Sequence, residues 1–333
     1  MNKKLIALIL AAAMTFALAA CTASTTEPAA ATQPATDTTV TEETYTVGVC
    51  QLVQHVALDA ATQGFCDALT DALGDKVTID VQNASGDSVN CGTIVNGFIS
   101  NDVDLIMANA TPALTAAASA TADIPILGTS ITAYGVALDI EDFDGTVGGN
   151  ISGTSDLADL QAQADMLLEW FPDAKNVGLL FCSGEANSRY QVDEVAAALS
   201  AKGVTCKEFS FTDTNDVASV AQAAADFSDV VYIPTDNVAA SNKEAIANVL
   251  LPAGIPTVCG EEGLCADCGV CTLSISYYDL GRTTGEMAAK ILKGEADIST
   301  MAVEFTEATP KFDADVCAQL GITPIGGYVA IEK

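Results

Sequence analysis

DLIMANATPALTAAA, at residues 104–118, reads as a short buried strand, a small polar turn and a helix that begins at Pro112. Proline suits the first turn of a helix, and the side chain of Thr111 can accept a hydrogen bond from a free backbone N–H group. The same order returns in DVVYIPTDNVAASN, residues 229–242, where a strand is followed by a Pro-Thr-Asp-Asn turn. When the two stretches are aligned from their first residues, Thr111 falls on Asp236. The chain therefore contains a duplicated strand–turn–helix unit, with a hydroxyl in one copy and a carboxylate in the other.

The duplication extends beyond these two stretches. Strand-like runs have counterparts in the other half of the chain: 46–50 with 175–181, 77–81 with 204–211, and 124–127 with 255–258. Alternating strands and helices predict parallel sheets with crossover helices. We therefore predict an α/β fold of two similar doubly wound parallel-sheet lobes, joined by a hinge at the glycine-rich residues 148–156.

The predicted boundaries assign residues 45–152, with about 260–302, to the first lobe. Residues 153–259, with about 303–333, are assigned to the second lobe. The last strands and helices predicted along the chain are too short to build a third domain. We expect them to complete both lobes by crossing the hinge several times.

The N-terminus has the layout of a bacterial lipoprotein signal peptide. Two lysines and the apolar residues 5–16 are followed by Leu-Ala-Ala-Cys, which ends at Cys21. We expect residues 1–20 to be removed, and the sulfur of Cys21 to carry diacylglycerol at the outer face of the cytoplasmic membrane. A transmembrane helix fits less well because the apolar run is too short. Residues 21–44, rich in Thr, Ala, Pro and Glu, are expected to form a flexible tether.

The charge balance excludes one class of partner. The 333 residues include 44 Asp and Glu but 13 Lys and Arg, which gives a net charge of −31. Nucleic acids and anionic membrane surfaces attract basic proteins, so we expect no nucleic-acid partner. Contact with the membrane is expected through the lipid on Cys21.

The turns that follow the predicted strands are the candidate binding site. In open parallel α/β sheets, ligands bind beyond the carboxyl ends of the strands, and two facing lobes would line one cleft with these ends. The turns are rich in Ser, Thr, Asn and carboxylates, and the basic side chains in or next to them are His55 and Arg189. The candidate ligand-binding residues are Gln51, His55, Asn109, Thr111, Thr129, Ser130, Asp156, Glu185, Asn187, Ser188, Asp236 and Asn237.

This composition suits a ligand with one ammonium and one carboxylate group better than a phosphate. We expect the ammonium to meet Asp236 and Glu185, with Asp156 as a third candidate. Thr111, Ser130 and neighbouring helix N–H groups would take the carboxylate. The alternative interpretation is that these residue types simply form turns and cap helices.

Several short motifs resemble one known family. They are QLVQHVALD at 51–59, ATPA at 110–113, GTSD at 153–156, SGEANS at 183–188, PTDN at 234–237 and YYDLG at 277–281. In this order, over residues 45–325, they resemble the ABC-transporter substrate-binding lipoproteins that include tryptophan- and tyrosine-type amino-acid binders, which have a type I periplasmic-binding-protein fold. The resemblance implies a small solute, such as an aromatic or other apolar amino acid, and a membrane permease that receives it. We expect a monomer without a cofactor.

A run of cysteines is the strongest indication in the sequence of a different function, that of a metal or redox protein. Cys259 precedes Cys265, Cys268 and Cys271, and the last three have a C-x2-C-x2-C spacing close to iron–sulfur and zinc patterns. The fourth ligand of the bacterial ferredoxin pattern is absent, and the run leads directly into a predicted strand. We therefore favour buried cysteines or a disulfide over a metal or redox centre.

Other functions stay open at this point. The solute could be a sugar or a nucleoside, and the protein could report ligand occupancy to a receptor instead of a transporter. A hydrolase would have to use His55, which is the single histidine of the chain, and no Gly-x-Ser-x-Gly elbow accompanies it. We therefore predict that the chain is not an enzyme.

Overall fold

The computed structural model describes residues 43–332. The predicted signal peptide, the lipidation site at Cys21 and nearly all of the predicted tether lie outside these residues. Inside them, strands and helices alternate along the chain, as predicted. No helix of the described part is long and apolar enough to cross a bilayer.

The first sheet contains six parallel strands among the described residues. They are β1 (Tyr45–Gln51), β2 (Val77–Asn83), β3 (Leu105–Asn109), β4 (Ile126–Ile131), β5 (Ile151–Ser155) and β11 (Glu304–Phe305), in the order β11-β5-β4-β3-β1-β2. Its helices are α1 (Val56–Leu73), α2 (Ser88–Ser100), α3 (Thr111–Ala120), α4 (Tyr134–Ala137) and α11 (Tyr277–Leu292), with single 3₁₀ turns at Gly74–Lys76 and Ile298–Thr300.

The second sheet contains seven strands of the described chain. They are β6 (Asn176–Cys182), β7 (Thr205–Phe211), β8 (Val230–Ile233), β9 (Thr257–Cys259), β10 (Cys271–Ser274), β12 (Thr309–Phe312) and β13 (Val329–Ala330), in the order β13-β12-β10-β9-β8-β6-β7. β12 runs antiparallel to β10, and the other pairs are parallel. The helices are α5 (Leu160–Trp170), α6 (Ala186–Ala201), α7 (Val217–Phe227), α8 (Asn237–Ser241), α9 (Lys243–Leu250), α10 (Glu262–Cys265) and α12 (Ala314–Leu320).

Both faces of each sheet are covered by helices. In β3, Leu105 and Met107 pack on the side of α1, whereas Ile106 and Ala108 pack on the side of α2 and α3. β6 in the second sheet alternates in the same way between two buried clusters. Successive side chains of a strand point to opposite faces, so strands buried on both sides read as continuous apolar runs. The prediction of two doubly wound α/β lobes is confirmed.

The chain crosses between the sheets at places that differ from the predicted boundaries. β5 belongs to the first sheet, so the boundary at residue 152 cuts a strand and the predicted hinge at 148–156 contains one. β10 lies in the stretch 260–302 assigned to the first lobe, yet it pairs with β9 and β12 of the second. β11, assigned to the second lobe, pairs with β5 of the first. An apolar run predicts a strand, but the sheet that it joins depends on long-range pairing.

α11 returns to the first lobe through glycine contacts with α1. A Cβ on Gly281 would overlap the carbonyl oxygen of Ala61, and a Cβ on Gly285 would lie 2.6 Å from the carbonyl oxygen of Phe65. Real Cβ atoms do not approach backbone oxygens this closely, so both positions require glycine. This close packing holds the N-terminal residue of α11, Tyr277, at the boundary between the lobes.

Candidate functional site

Turns at the carboxyl ends of strands from both sheets meet at the boundary between the lobes. His55 precedes α1 in the first lobe, and its Nε2 lies 3.2 Å from Oδ1 of Asn237, the first residue of α8 in the second lobe. α1 also packs against α10, and α4 packs against α6. Site residues predicted from opposite lobes are therefore in contact.

Asp156 directly follows β5 and is buried between the lobes. Tyr277 donates a hydrogen bond from its hydroxyl to Asp156 Oδ2 at 2.8 Å, and it also hydrogen-bonds the side chain of Thr235 in the second lobe. Asp156 is 5% exposed, and its Oδ1 atom has no hydrogen-bond partner in the described chain. Burial raises the pKa of this carboxyl because it disfavours the charged form, and hydrogen bonds from Tyr277, from Thr132 and from the backbone N–H of Asp156 oppose that effect. One oxygen of a buried acid is thus left free.

Asp236 and Glu185 are buried as well, but both carboxylates are engaged with the start of α8. Asp236 Oδ1 accepts from Ala239 N at 2.8 Å, and Oδ2 accepts from Cys182 N at 2.6 Å. Glu185 Oε1 accepts from Val238 N at 3.0 Å, and its Oε2 accepts from both nitrogens of Asn237. The assignment of the ammonium to these two acids stays a prediction, and this geometry gives them a capping role.

The charge of Glu185 acts on Asp236. Burial and then the charge of Glu185 raise the pKa of Asp236 to about 7, against the two backbone N–H groups, which lower it. An Asp in ordinary solvent ionises near pH 3.9. The proton on this carboxyl is therefore sensitive to pH near neutrality.

Asn187, at the start of α6, joins Glu185 to the Asp156 side of the interface. Its Nδ2 donates to Glu185 Oε2 at 3.1 Å, to Ser188 Oγ at 3.3 Å and to the carbonyl oxygen of Thr235 at 3.0 Å. Three acceptors around Nδ2 fix the orientation of the amide, and Oδ1 has no partner in the described chain. A single hydrogen-bonded series therefore crosses the interface in the order His55, Asn237, Glu185, Asn187, Thr235, Tyr277 and Asp156.

Three predicted residues of the first lobe use their polar groups inside that lobe. Gln51 Nε2 donates to Asp59 at 2.6 Å, and its Oε1 accepts from Thr62. Asn109 Nδ2 donates to Thr62 and to the carbonyl oxygen of Leu58, while its Oδ1 has no partner in the described chain. These bonds anchor the start of α1 to the ends of β1 and β3.

Thr129 is held in the same manner, through a buried chain of threonine hydroxyls. Its Oγ1 lies 3.2 Å from that of Thr154, which lies 2.9 Å from that of Thr284 in α11. Thr129 therefore ties β4 to β5 and α11, and its hydroxyl has a partner within its own lobe.

Ser130 is the second-last residue of β4, and Thr111 is the first residue of α3. Ser130 has a φ of 55°, in the left-handed region, and its buried hydroxyl has no partner in the described chain. Ala110, just before Thr111, has a φ of 87°. A positive φ in a residue other than glycine costs on the order of 1 kcal/mol or more, and such strain occurs often at binding sites.

Glu261, which our sequence prediction missed, is also buried at this interface. It lies two residues after the end of β9, and its Oε2 accepts from Gly263 N at 2.5 Å. Burial is the main cause that raises its pKa to about 7, and the nearby Asp156 contributes to the rise. The repeat contains the missed signal, since aligning Ile124 with Ile255 places Glu261 on Ser130.

The cysteine run is part of the core of the second lobe. Cys259, Cys265, Cys268 and Cys271 are fully buried free thiols. Burial raises the pKa of Cys259 and of Cys271 well above the ordinary thiol value. In the described part of the chain, no group of three or more His, Cys, Asp and Glu side chains is arranged to hold a metal ion.

Two cavities open at the boundary between the lobes. One of about 280 Å³ is lined by Leu52, Val53 and Pro112 of the first lobe and by Glu185 and Val238 of the second, among others. The other, of about 350 Å³, lies between the start of α1 and helices α8 and α9. The first cavity borders the hydrogen-bonded series through Glu185.

Comparison with known proteins agrees with this architecture. Residues 46–324 match the family described as ABC transporter substrate binding protein. A tyrosine-binding protein of Clostridioides difficile (strain R20291) is 33% identical over 269 residues, which cover 78% of this chain and 77% of that protein.

Two solved structures differ in how well they superpose on this chain. An ABC domain from Streptococcus pneumoniae in complex with L-Trp is 29% identical, with a TM-score of 0.82 over 87% of this chain and all of that one. A ligand-free, open substrate-binding protein with adhesive properties from Clostridium difficile is 33% identical, with a TM-score of 0.66 over 86% of this chain and 99% of that one. The chain thus resembles the tryptophan complex more closely in structure, although the open protein is closer in sequence.

These findings confirm the resemblance and the fold class predicted from the sequence. Proteins of this family bind solutes and are not enzymes, which agrees with the prediction for this chain. The chain belongs to the family of ABC transporter substrate-binding proteins.

Proposed function

We propose that the protein binds an aromatic amino acid between its two lobes. Asp156 carries this proposal, because it is a buried acid with one oxygen that has no partner in the described chain. A buried acceptor without a partner costs free energy, which a ligand donor would recover. The two relatives that bind tyrosine and tryptophan supply the ligand class.

The ammonium group of the ligand would lie against Asp156 and Asn187. Both side chains offer an unpaired acceptor oxygen and belong to one hydrogen-bonded series. Asp236 and Glu185 stay as weaker candidates, because backbone N–H groups already occupy their oxygens.

The carboxylate of the ligand would be taken by the hydroxyl of Ser130 and by free backbone N–H groups. α1 and α6 begin at the interface, and neither has a side chain that caps its first turn. The positive end of a helix dipole favours a negative group there. The aromatic ring would occupy the 280 Å³ cavity, where Leu52, Val53 and Pro112 supply apolar contacts.

Transport and anchoring complete the proposal. We infer that the protein delivers its ligand to the permease of an ABC importer and works as a monomer.

Lipid on Cys21 would hold the protein at the outer face of the cytoplasmic membrane, as the signal sequence indicates. Mass spectrometry of the protein isolated from membranes tests the anchor, since an N-terminal diacylglyceryl cysteine is expected at residue 21. An unmodified Cys21 would refute it.

Isothermal titration of the purified protein against amino acids, nucleosides and sugars tests the ligand class. We expect saturable heat with L-tyrosine, L-tryptophan or L-phenylalanine and none with sugars or nucleosides. Binding of a sugar without binding of any amino acid would refute the proposal.

A further inference from the structure

Acidic side chains outnumber basic ones around the interface between the lobes. Four carboxyl groups of the described chain are at most 5% exposed there: those of Asp156, Glu185, Asp236 and Glu261. Burial lowers the pKa of His55, which keeps its imidazole neutral. The residues around the binding region therefore offer four acidic groups and a neutral imidazole.

Two basic side chains near this region, those of Lys243 and Arg189, already bind other groups of the protein. Lys243 Nζ donates to the carbonyl oxygens of Gly263 and Ala266 at 3.1 Å. Arg189 pairs with Asp193 and Glu208 on the outer side of α6. A ligand carboxylate would thus meet neutral donors, while a ligand ammonium would meet carboxyl groups whose ionisation its own positive charge favours.

The side-chain atoms without a hydrogen-bond partner also suit an ammonium group better than a carboxylate. Asp156 Oδ1, Asn187 Oδ1 and Asn109 Oδ1 can only accept hydrogen bonds, and all three residues are at most 5% exposed. A carboxylate has no proton to give them, whereas an ammonium group donates three. In the described chain, two unpaired hydroxyls near the carboxyl ends of the first-sheet strands can donate to a carboxylate, those of Ser130 in β4 and Thr306 after β11.

From this asymmetry we propose that the site recognises the aromatic ring and the ammonium group, and that the carboxylate is dispensable. The inference rests on the proposed function and extends its ligand class to decarboxylated aromatic amines. Such amines keep the ammonium that Asp156 and Asn187 face, and they lose a group that finds only neutral donors. Deaminated aromatic acids keep the less important group and bring a negative charge to four carboxyls.

Competitive titration with matched ligands tests this inference. The series for each ring is the amino acid, its amine and its deaminated acid: tyrosine, tyramine and 3-(4-hydroxyphenyl)propionate, or tryptophan, tryptamine and indole-3-propionate. We expect the amine to bind within tenfold of the amino acid, and the acid to bind at least thirtyfold more weakly. An amine that binds more than a hundredfold more weakly than its amino acid would refute the inference and leave the proposed function intact. Failure of all three ligands would instead refute the proposed function.

Two variants test separately the contacts with the ammonium group and with the carboxylate of the ligand. Asp156→Asn should weaken the amine and the amino acid alike, by tenfold or more. Ser130→Gly removes the hydroxyl without adding strain at a φ of 55°, so it should weaken the amino acid two- to fivefold and leave the amine unchanged. Asp173→Asn, at an exposed acid, is the matched control and should change neither affinity. Equal loss of both ligands in Ser130→Gly would contradict the assignment, and circular dichroism confirms that each variant is folded.

Discussion

Asp156 and Asp236 are both buried aspartates that follow a strand, one in each lobe, yet their surroundings assign them different tasks. Both oxygens of Asp236 accept backbone N–H groups, whereas the bonds to Asp156, chiefly from Tyr277 and also from Thr132, leave its Oδ1 atom without a close partner in the described chain. A fully bonded carboxylate stabilises the fold and has little left for a ligand. A partly bonded carboxylate costs stability and has an acceptor to spare. The hydrogen bonds already made, more than the residue type, separate a helix cap from a ligand contact.

The largest effect should come from removing the bonded carboxylate. Asp236→Ala leaves the N–H groups of Ala239 and Cys182 without acceptors in a buried place, so we expect the free energy of unfolding to fall by about 3 kcal/mol. Denaturant unfolding measures this change. Asp159→Ala removes a single exposed cap from α5 and should cost about 1 kcal/mol. Equal losses in the two variants would contradict the structural role of Asp236.

The pH dependence of the free energy of unfolding should also depend on Asp236. The pKa of Asp236 is about 7 in the folded protein and near 3.9 when unfolded, so the folded state holds more protons between these values. Stability contributed by the protonated form is therefore lost as pH rises, by roughly 2 kcal/mol between pH 5 and pH 7. Asp236→Asn cannot ionise, and its unfolding free energy should fall less over this range. Unfolding at pH 5, 6, 7 and 8 measures the difference, and parallel curves for variant and wild type would refute the assignment.

Ligand affinity should rank the two aspartates in the opposite order. Asp156→Asn should weaken binding of an aromatic amino acid tenfold or more, about 1.4 kcal/mol. Its unfolding free energy should change by less than about 1 kcal/mol, because one hydrogen bond from Tyr277 is at stake. Asp236→Asn, if folded, should keep more of the affinity than Asp156→Asn. A greater loss of affinity in Asp236→Asn would indicate that Asp236, and not Asp156, binds the ammonium group of the ligand.

The smallest effect should come from the contact that joins the lobes directly. His55→Ala removes the 3.2 Å contact with Asn237, so we expect a two- to threefold loss of affinity, about 0.5 kcal/mol. Titration calorimetry measures the loss, and small-angle scattering should report a more open protein. Gln54→Ala, at the exposed neighbouring position, is the control. An unchanged affinity in His55→Ala would show that other contacts hold the lobes together.

The repeat predicted the two lobes correctly and also indicated where they face each other. Alignment of the copies places Thr111 on Asp236, and this difference predicts a site for a ligand with one ammonium and one carboxylate group. In the structure Asp236 caps α8, while the unpaired groups are on Asp156, Ser130 and Asn187. The asymmetry between the lobes is present, but it is carried by other residues than those the alignment selected.

The sequence by itself determined the α/β fold, the duplication and the strand ends near which the candidate side chains lie. These features follow from local rules, since apolar periodicity predicts strands and helices, and turn residues mark the strand ends. Tertiary structure alone decided the sheet that β10 and β11 join, the burial of Glu261, and which oxygen of which acid stays unpaired. Those outcomes depend on partners far away in the chain, such as Tyr277 on Asp156 across 121 positions, and no local pattern encodes such a bond.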